Sequence, residues 1–103
     1  MEDIHAEEFA DLLKTKQHIQ LLDVRESLEY HTYNIGGLHI PLGKLPQMIE
    51  DDDLELDPKL PVIVICQRGL RSKTAKHLLE NAGYTQARNL IGGLLKLQHI
   101  QTK

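Results

Sequence analysis

Val62-Ile63-Val64-Ile65-Cys66-Gln67-Arg68-Gly69-Leu70-Arg71-Ser72 is the stretch that decides the fold. Its first four residues are β-branched and apolar at consecutive positions, so both faces of the strand they form are covered. That is the pattern of an interior strand of a parallel sheet. Asp57-Pro58-Lys59-Leu60-Pro61 in front of it is a turn signal. Gly69 then marks a tight loop, and Ala75, Leu78, Leu79 and Ala82 recur at helical spacing, so residues 71–82 are expected to form a helix closed by Gly83. In open α/β sheets ligands bind outside the carboxyl ends of the strands. Cys66 stands at that end of the most apolar strand.

Outward from this unit the periods alternate. Ala6, Phe9 and Leu13, with Leu12 beside them, share one face of a helix over 5–15, and Glu7, Glu8 and Asp11 suit its positive end. Residues 19–24 read as a buried strand ending near Asp23. Residues 26–31 read as a brief helix, broken by Gly36-Gly37. Leu38-His39-Ile40 reads as a short strand stopped by Pro41. Leu42, Leu45 and Ile49 give a further helical stripe. After the central unit come a strand over 87–91, a Gly92-Gly93 turn and a final helix carrying Leu94, Leu95, Leu97 and Ile100. Alternating strands and helices predict an α/β sheet with helices on both faces. No internal repeat interrupts the pattern.

Composition narrows the function. At 103 residues the chain is expected to be one domain, 1–103. With 41% hydrophobic and 26% charged residues it is not a disordered chain, and with a single Cys it is not a disulfide-stapled scaffold. The acidic start, Met1-Glu2-Asp3-Ile4-His5, lacks the basic and apolar regions of a signal peptide. The longest apolar run, Val62 to Cys66, falls far short of the roughly 20 residues that span a bilayer. A cytoplasmic location without membrane contact is expected. The net charge of −3 argues against nucleic acid as a partner. That charge is uneven: residues 1–68 carry a balance of −8, and residues 69–103 one of +5. The asymmetry is either chance or a field that draws an anion toward the loop after Cys66. The acidic run Glu50 to Asp53 reads as a solvated loop or helix end, because calcium-loop spacing is missing. The six histidines show no ligand spacing, so no metal is expected.

A thiolate at position 66 would face backbone N–H groups at the mouth of the following helix, where amides and helix dipole stabilise negative charge. Arg68 and Arg71 add positive charge, and Gly69 permits a positive φ or a close backbone approach. These groups should bring the thiol below its ordinary range. The competing reading, an inert core cysteine at the end of an apolar strand, suits the Cys alone better than the Cys with its loop.

Cys66-Gln67-x-Gly69-x-Arg71-Ser72 after a Val/Ile strand resembles the active loop of the rhodanese domain. Leu21-Leu22-Asp23-Val24-Arg25-Glu26 with Glu29-Tyr30, Asn34-Ile35-Gly36-Gly37-Leu38-His39-Ile40-Pro41-Leu42, Ala82-Gly83-Tyr84 and Leu90-Ile91-Gly92-Gly93 are similar to four further segments of that family, in order. The resemblance covers roughly residues 3–97. It implies a rhodanese-like, five-stranded parallel sheet flanked by helices on both faces. It also implies sulfur transfer of the thiosulfate sulfurtransferase type through a Cys66 persulfide, without a metal or other cofactor. The expected partners are a small anionic sulfur donor such as thiosulfate and a thiol or protein sulfur acceptor. Four residues separate Cys66 from Arg71, whereas related phosphatases and arsenate reductases carry a longer loop, so a sulfur atom is favoured over a tetrahedral oxyanion.

The resemblance also assigns roles. Cys66 is the nucleophile. Gln67, Arg68, Gly69, Leu70 and Arg71 offer backbone N–H groups to the bound sulfur or anion. Arg68 either steers an anionic donor or is simply a solvated surface residue. Arg71 braces the loop, with Asp23 as its expected partner. Arg25 lines the pocket or pairs with Glu29, and Ser72 supports the loop. The sequence departs from the family at Asn34, at Gly36 and near Leu97, where His, Pro and Trp are usual. With no second Cys, the sulfur must pass to an outside acceptor. The alternative is a non-enzymatic sulfur-relay or regulatory protein-binding module of the same fold, and the intact Cys with its loop favours chemistry.

Overall fold

The computed structural model describes residues 1–15 and 18–102. Helix α1 (Ala6–Thr15) leads into strand β1 (Gln20–Asp23), helix α2 (Ser27–Thr32), strand β2 (Leu38–His39), a 3₁₀ turn (Leu42–Lys44) and helix α3 (Leu45–Glu50). Strand β3 (Val62–Ile65), helix α4 (Leu70–Asn81), strand β4 (Ala87–Asn89) and helix α5 (Gly93–Gln101) complete the order. Each expected element is present with ends shifted by a residue or two. The strand over 87–91 is shortened to Ala87–Asn89, and Gly92 at φ 78° begins the turn into α5.

All strands are parallel, in the order β2-β1-β3-β4. Among the described residues the expectation of five strands is corrected to four. Where a fifth would lie, beside β4, there is one parallel bridge between Ile4 and Leu90. Its bonds are Ile4 N–H to Asn89 O at 3.0 Å and Ile91 N–H to Ile4 O at 2.9 Å. The chain cannot extend this pairing past Ile4, because the His5 carbonyl already accepts the Phe9 N–H of α1 at 3.0 Å.

Alternation along β3 divides the core. Val62 and Val64 face a layer with Leu22, Val24, Leu45, Ala75 and Leu79, under α3 and α4. Ile63 and Ile65 face a layer with Ile4, Phe9, Leu90, Leu94 and Leu97, under α1 and α5. Helices therefore cover both faces, and β3 is buried throughout, as its composition requires. Leu97, near the place where the family usually has Trp, is fully buried in the second layer.

The topology makes the site. After β1 the chain crosses toward the β2 edge, and after β3 toward the β4 edge. The connections leaving the carboxyl ends of β1 and β3 part there, and the crevice between them is where such sheets hold ligands. Asp23 and Ile65, the last residues of these strands, are paired in register.

Candidate active site

Cys66 follows directly on β3, and Gly69, at φ 91°, turns the chain into α4. A side chain at Gly69 would press on the backbone of Leu90 and Gly92, with contacts of 3.1 and 3.0 Å. Only a residue without Cβ fits that position and that φ. On the other side, α5 begins against the loop. Leu94 N–H donates to Cys66 O at 2.9 Å and Leu95 N–H to Gln67 O at 3.1 Å. The first carbonyls of the loop are thereby held toward α5, and the N–H groups that follow turn inward to the sulfur.

The sulfur collects these donors. Gly69 N–H lies 3.0 Å from Sγ and Ser72 N–H 3.3 Å from it, and Ser72 Oγ is 3.2 Å away. Burial pushes the Cys66 thiol up, but the Ser72 hydroxyl and N–H, with the Arg68 and Gly69 N–H groups, outweigh it and leave the thiol below its ordinary range. Hydrogen bonds to the charged form are the cause of the net shift. Cys66 is only 1% exposed as a residue, yet it lines a pocket of about 340 Å³ with Glu29, Gln67, Arg68, Leu70 and Arg71. The thiol is at the floor of a pocket and not on the surface.

Two ion-pair expectations are corrected. Arg71 does not pair with Asp23; its guanidinium makes a forked bond to Glu29 of α2, 2.6 Å to Oε1 and 2.8 Å to Oε2. The Arg71 bonds, only partly opposed by burial, hold the Glu29 carboxyl at about 2. Glu29 Oε1 also accepts the Glu26 N–H at 3.1 Å, so the same carboxylate fastens the start of α2. Arg25 does not pair with the Glu29 side chain; it turns back on Asp23, with Nε 3.0 Å from Oδ1 and Nη2 2.7 Å from Oδ2. Both members are buried, and Arg25 further donates to the carbonyls of Tyr33 and Glu29 at 2.8 and 3.3 Å. The reason is proximity within one turn: Asp23 and Arg25 flank Val24 at the end of β1, and the Arg25 N–H also bonds Asp23 Oδ1 at 3.1 Å. Together they tie β1 to the end of α2 and do not touch Arg71.

Arg68 and Leu70 project outward at the mouth, Leu70 at 75% exposure, with Gln67 half-buried between them and the neighbouring crevice. Sequence reasoning missed Asn89. Its Nδ2 donates to Gly69 O at 3.2 Å and its Oδ1 accepts from the Ser72 hydroxyl, so one buried amide braces the loop from β4. The available signal was a polar residue at an inward position of that strand, in step with Ala87 and three positions before the Gly92-Gly93 turn. At Asn34, where the family usually has His, the side chain makes its own turn, accepting the Gly36 N–H at 2.9 Å and donating to Tyr30 O at 3.0 Å.

A thiol ringed by inward N–H donors at the mouth of a helix can hold an anionic sulfur without a metal. The model of the Rhodanese-like domain matches residues 5–99. Thiosulfate sulfurtransferase GlpE of Coxiella burnetii is 36% identical over 79% of this chain and 73% of its own length. Adenylyltransferase and sulfurtransferase MOCS3 of Arabidopsis thaliana is 32% identical over 88% of this chain, which spans only 22% of that longer protein. The human single-domain sulfurtransferase TSTD1 superposes with a TM-score of 0.75 at 26% identity, over 94% of this chain and 95% of that one. From the Cys66 loop to the order of its strands, this chain belongs to the Rhodanese-like domain family, whose kind of activity is sulfur transfer.

Proposed function

We propose that this chain, acting as one domain over residues 1–103, is a sulfurtransferase that carries sulfane sulfur on Cys66. The Cys66 thiolate attacks the outer sulfur of thiosulfate. The S–S bond of the donor breaks, sulfite leaves with its electron pair, and Cys66-S-S⁻ remains. An acceptor thiolate then attacks the outer sulfur, becomes a persulfide, and Cys66 returns as thiolate. Charge and sulfur balance in each half, so no oxidant or reductant is needed. This is covalent catalysis in two displacements.

The observation that carries the reading is the set of N–H donors on Cys66 Sγ, which stabilise the attacking thiolate and would then face a sulfur bound beyond it. The Gln67, Arg68, Leu70 and Arg71 segment frames the pocket above, and Arg68 is the exposed cation that would steer an anionic donor. The charge of Arg71 is largely matched by Glu29, which leaves Arg71 a bracing role. Asp23, Arg25 and Ser72 support the loop and the crevice wall.

The test is incubation with thiosulfate followed by intact-mass measurement. A gain of one sulfur, absent in Cys66→Ser with its fold retained, is expected. Equal loading of Cys66→Ser would reject the scheme. Loading from a protein persulfide but not from thiosulfate would turn the reading toward a relay.

A further inference from the structure

Asn89, Ser72 and Cys66 form a hydrogen-bonded chain whose proton count does not close in every state of the sulfur. Asn89 Nδ2 donates to Gly69 O at 3.2 Å. A carbonyl only accepts, so the orientation of the amide is set and Oδ1 is the atom that faces Ser72. An amide oxygen also only accepts, so the Ser72 hydroxyl must be the donor in that bond. A hydroxyl has one proton. Ser72 Oγ therefore presents a lone pair to Cys66 Sγ, 3.2 Å away, and only a protonated sulfur can use it. Among the described residues the side-chain bonds of Ser72 run to these two partners alone. Ser72 is fully buried and Asn89 is 4% exposed, so bulk water does not supply a substitute.

We propose that Asn89 and the Cys66 sulfur compete for the single Ser72 proton, Asn89 holding it while the sulfur is a thiol and losing it when the sulfur is a thiolate. Asn89 is thus a positioning residue that acts on Cys66 through Ser72. When the thiolate forms, its proton leaves through the pocket, the Ser72 hydroxyl turns to the sulfur, and Asn89 Oδ1 is left buried without a donor. A buried acceptor without a partner is costly. In a persulfide the charge lies on the outer sulfur, so Ser72 can return its proton to Asn89. The competition therefore penalises the empty thiolate and not the loaded form. Only this last consequence rests on the sulfurtransferase reading.

The charged groups around the sulfur are accounted for from each side. Arg68 on the loop, Arg71 on α4 and Glu29 on α2 line the same pocket. The buried Arg25–Asp23 pair closes the end of β1. Behind β4 the Asp3 carboxylate takes the Asn89 backbone N–H at 3.1 Å and Lys76 Nζ at 2.7 Å. From α5 come the uncharged amides of Leu94 and Leu95.

The experiment is iodoacetamide alkylation of the lone cysteine as a function of pH in wild type, Asn89→Leu, Ser72→Ala and the double variant. Asn89→Leu should react about tenfold faster on the acid side of the profile, the size expected for a hydrogen bond returned to a charged group. Its alkaline plateau should be no higher than that of the wild type, because a thiolate of lower basicity is no better a nucleophile. A brace acting only through Gly69 predicts the opposite sign, since a loosened loop donates less to the sulfur. A slower or unchanged acid-side rate therefore overturns the proposal. The gain should vanish when Ser72 is already Ala, and its persistence there also overturns it. If Asn89→Leu does not fold, the infrared S–H stretch decides. A band at lower frequency in wild type than in Ser72→Ala is expected, and identical bands refute the shared proton. Thiosulfate loading is scored separately: its failure with these signatures intact removes the proposed function and leaves the proton competition standing.

Discussion

Replacing Glu29 by Gln removes one charge from the mouth of the pocket and little else. The amide can still accept the Glu26 N–H and one bond from Arg71. The Glu29 carboxyl is held at about 2 against an ordinary 4.5, chiefly by the forked bond from Arg71. Taken at face value, that difference is worth about 3 kcal/mol. The two side chains are 35% and 33% exposed, however, so water and side-chain entropy reduce the pair to about 1 kcal/mol. The sign follows from the depressed carboxyl. Its contribution is complete above the unfolded value and is lost as pH falls from about 4.5 toward about 2. Urea denaturation near pH 7 should therefore show Glu29→Gln less stable by about 1 kcal/mol, with a clearly smaller difference near pH 3 as the wild type loses its own share. A penalty of the same size at both pH values, or none at neutral pH, would refute the assignment of Glu29 to Arg71 as a working ion pair.

Other perturbations probe the scaffold. In Gly93→Ala the new Cβ would meet Cys66 O and the Gln67 carbonyl at 2.5 Å, at a φ of 63° that disfavours any side chain. It should cost at least about 2 kcal/mol by urea denaturation and abolish sulfur loading, because the obstacle is loop backbone. Phe9→Ala, which empties a fully buried position under α1, should cost about 3–5 kcal/mol in the same assay. The alkylation profile of Cys66 should be preserved, because Phe9 packs in the layer opposite to that of the thiol. Cys66→Ser and Asn89→Leu carry the tests of the site already described.

The site was legible where chemistry and turn geometry share a short segment. Cys66, Gly69, Arg71 and Ser72 lie within one strand-loop-helix unit, so the N–H cradle followed from local spacing and a glycine at positive φ. Ion-pair partners were not legible. Arg71 and Glu29 are 42 positions apart, and the side chain that meets Arg71 depends on how α2 is set beside α4. The carboxylate placed at the end of β1, Asp23, is taken by its own neighbour Arg25. Asn89 was hidden for the same reason, because its partners Ser72 and Gly69 come from an element 17 and 20 positions away. The fifth strand failed on length: Ile4 has room for one bridge before α1 begins.

Residue order alone determined the alternation of strands and helices, the two-sided burial of Val62–Ile65 and the place of the thiol at the end of that strand, because each follows from periodicity and turn chemistry within a few residues. Tertiary structure decided which acid answers which arginine, that α5 turns the loop carbonyls outward, and that Asn89 reaches the hydroxyl beside the sulfur. Those are contacts between elements distant in the chain, and their geometry exists only once the two core layers have packed against the sheet.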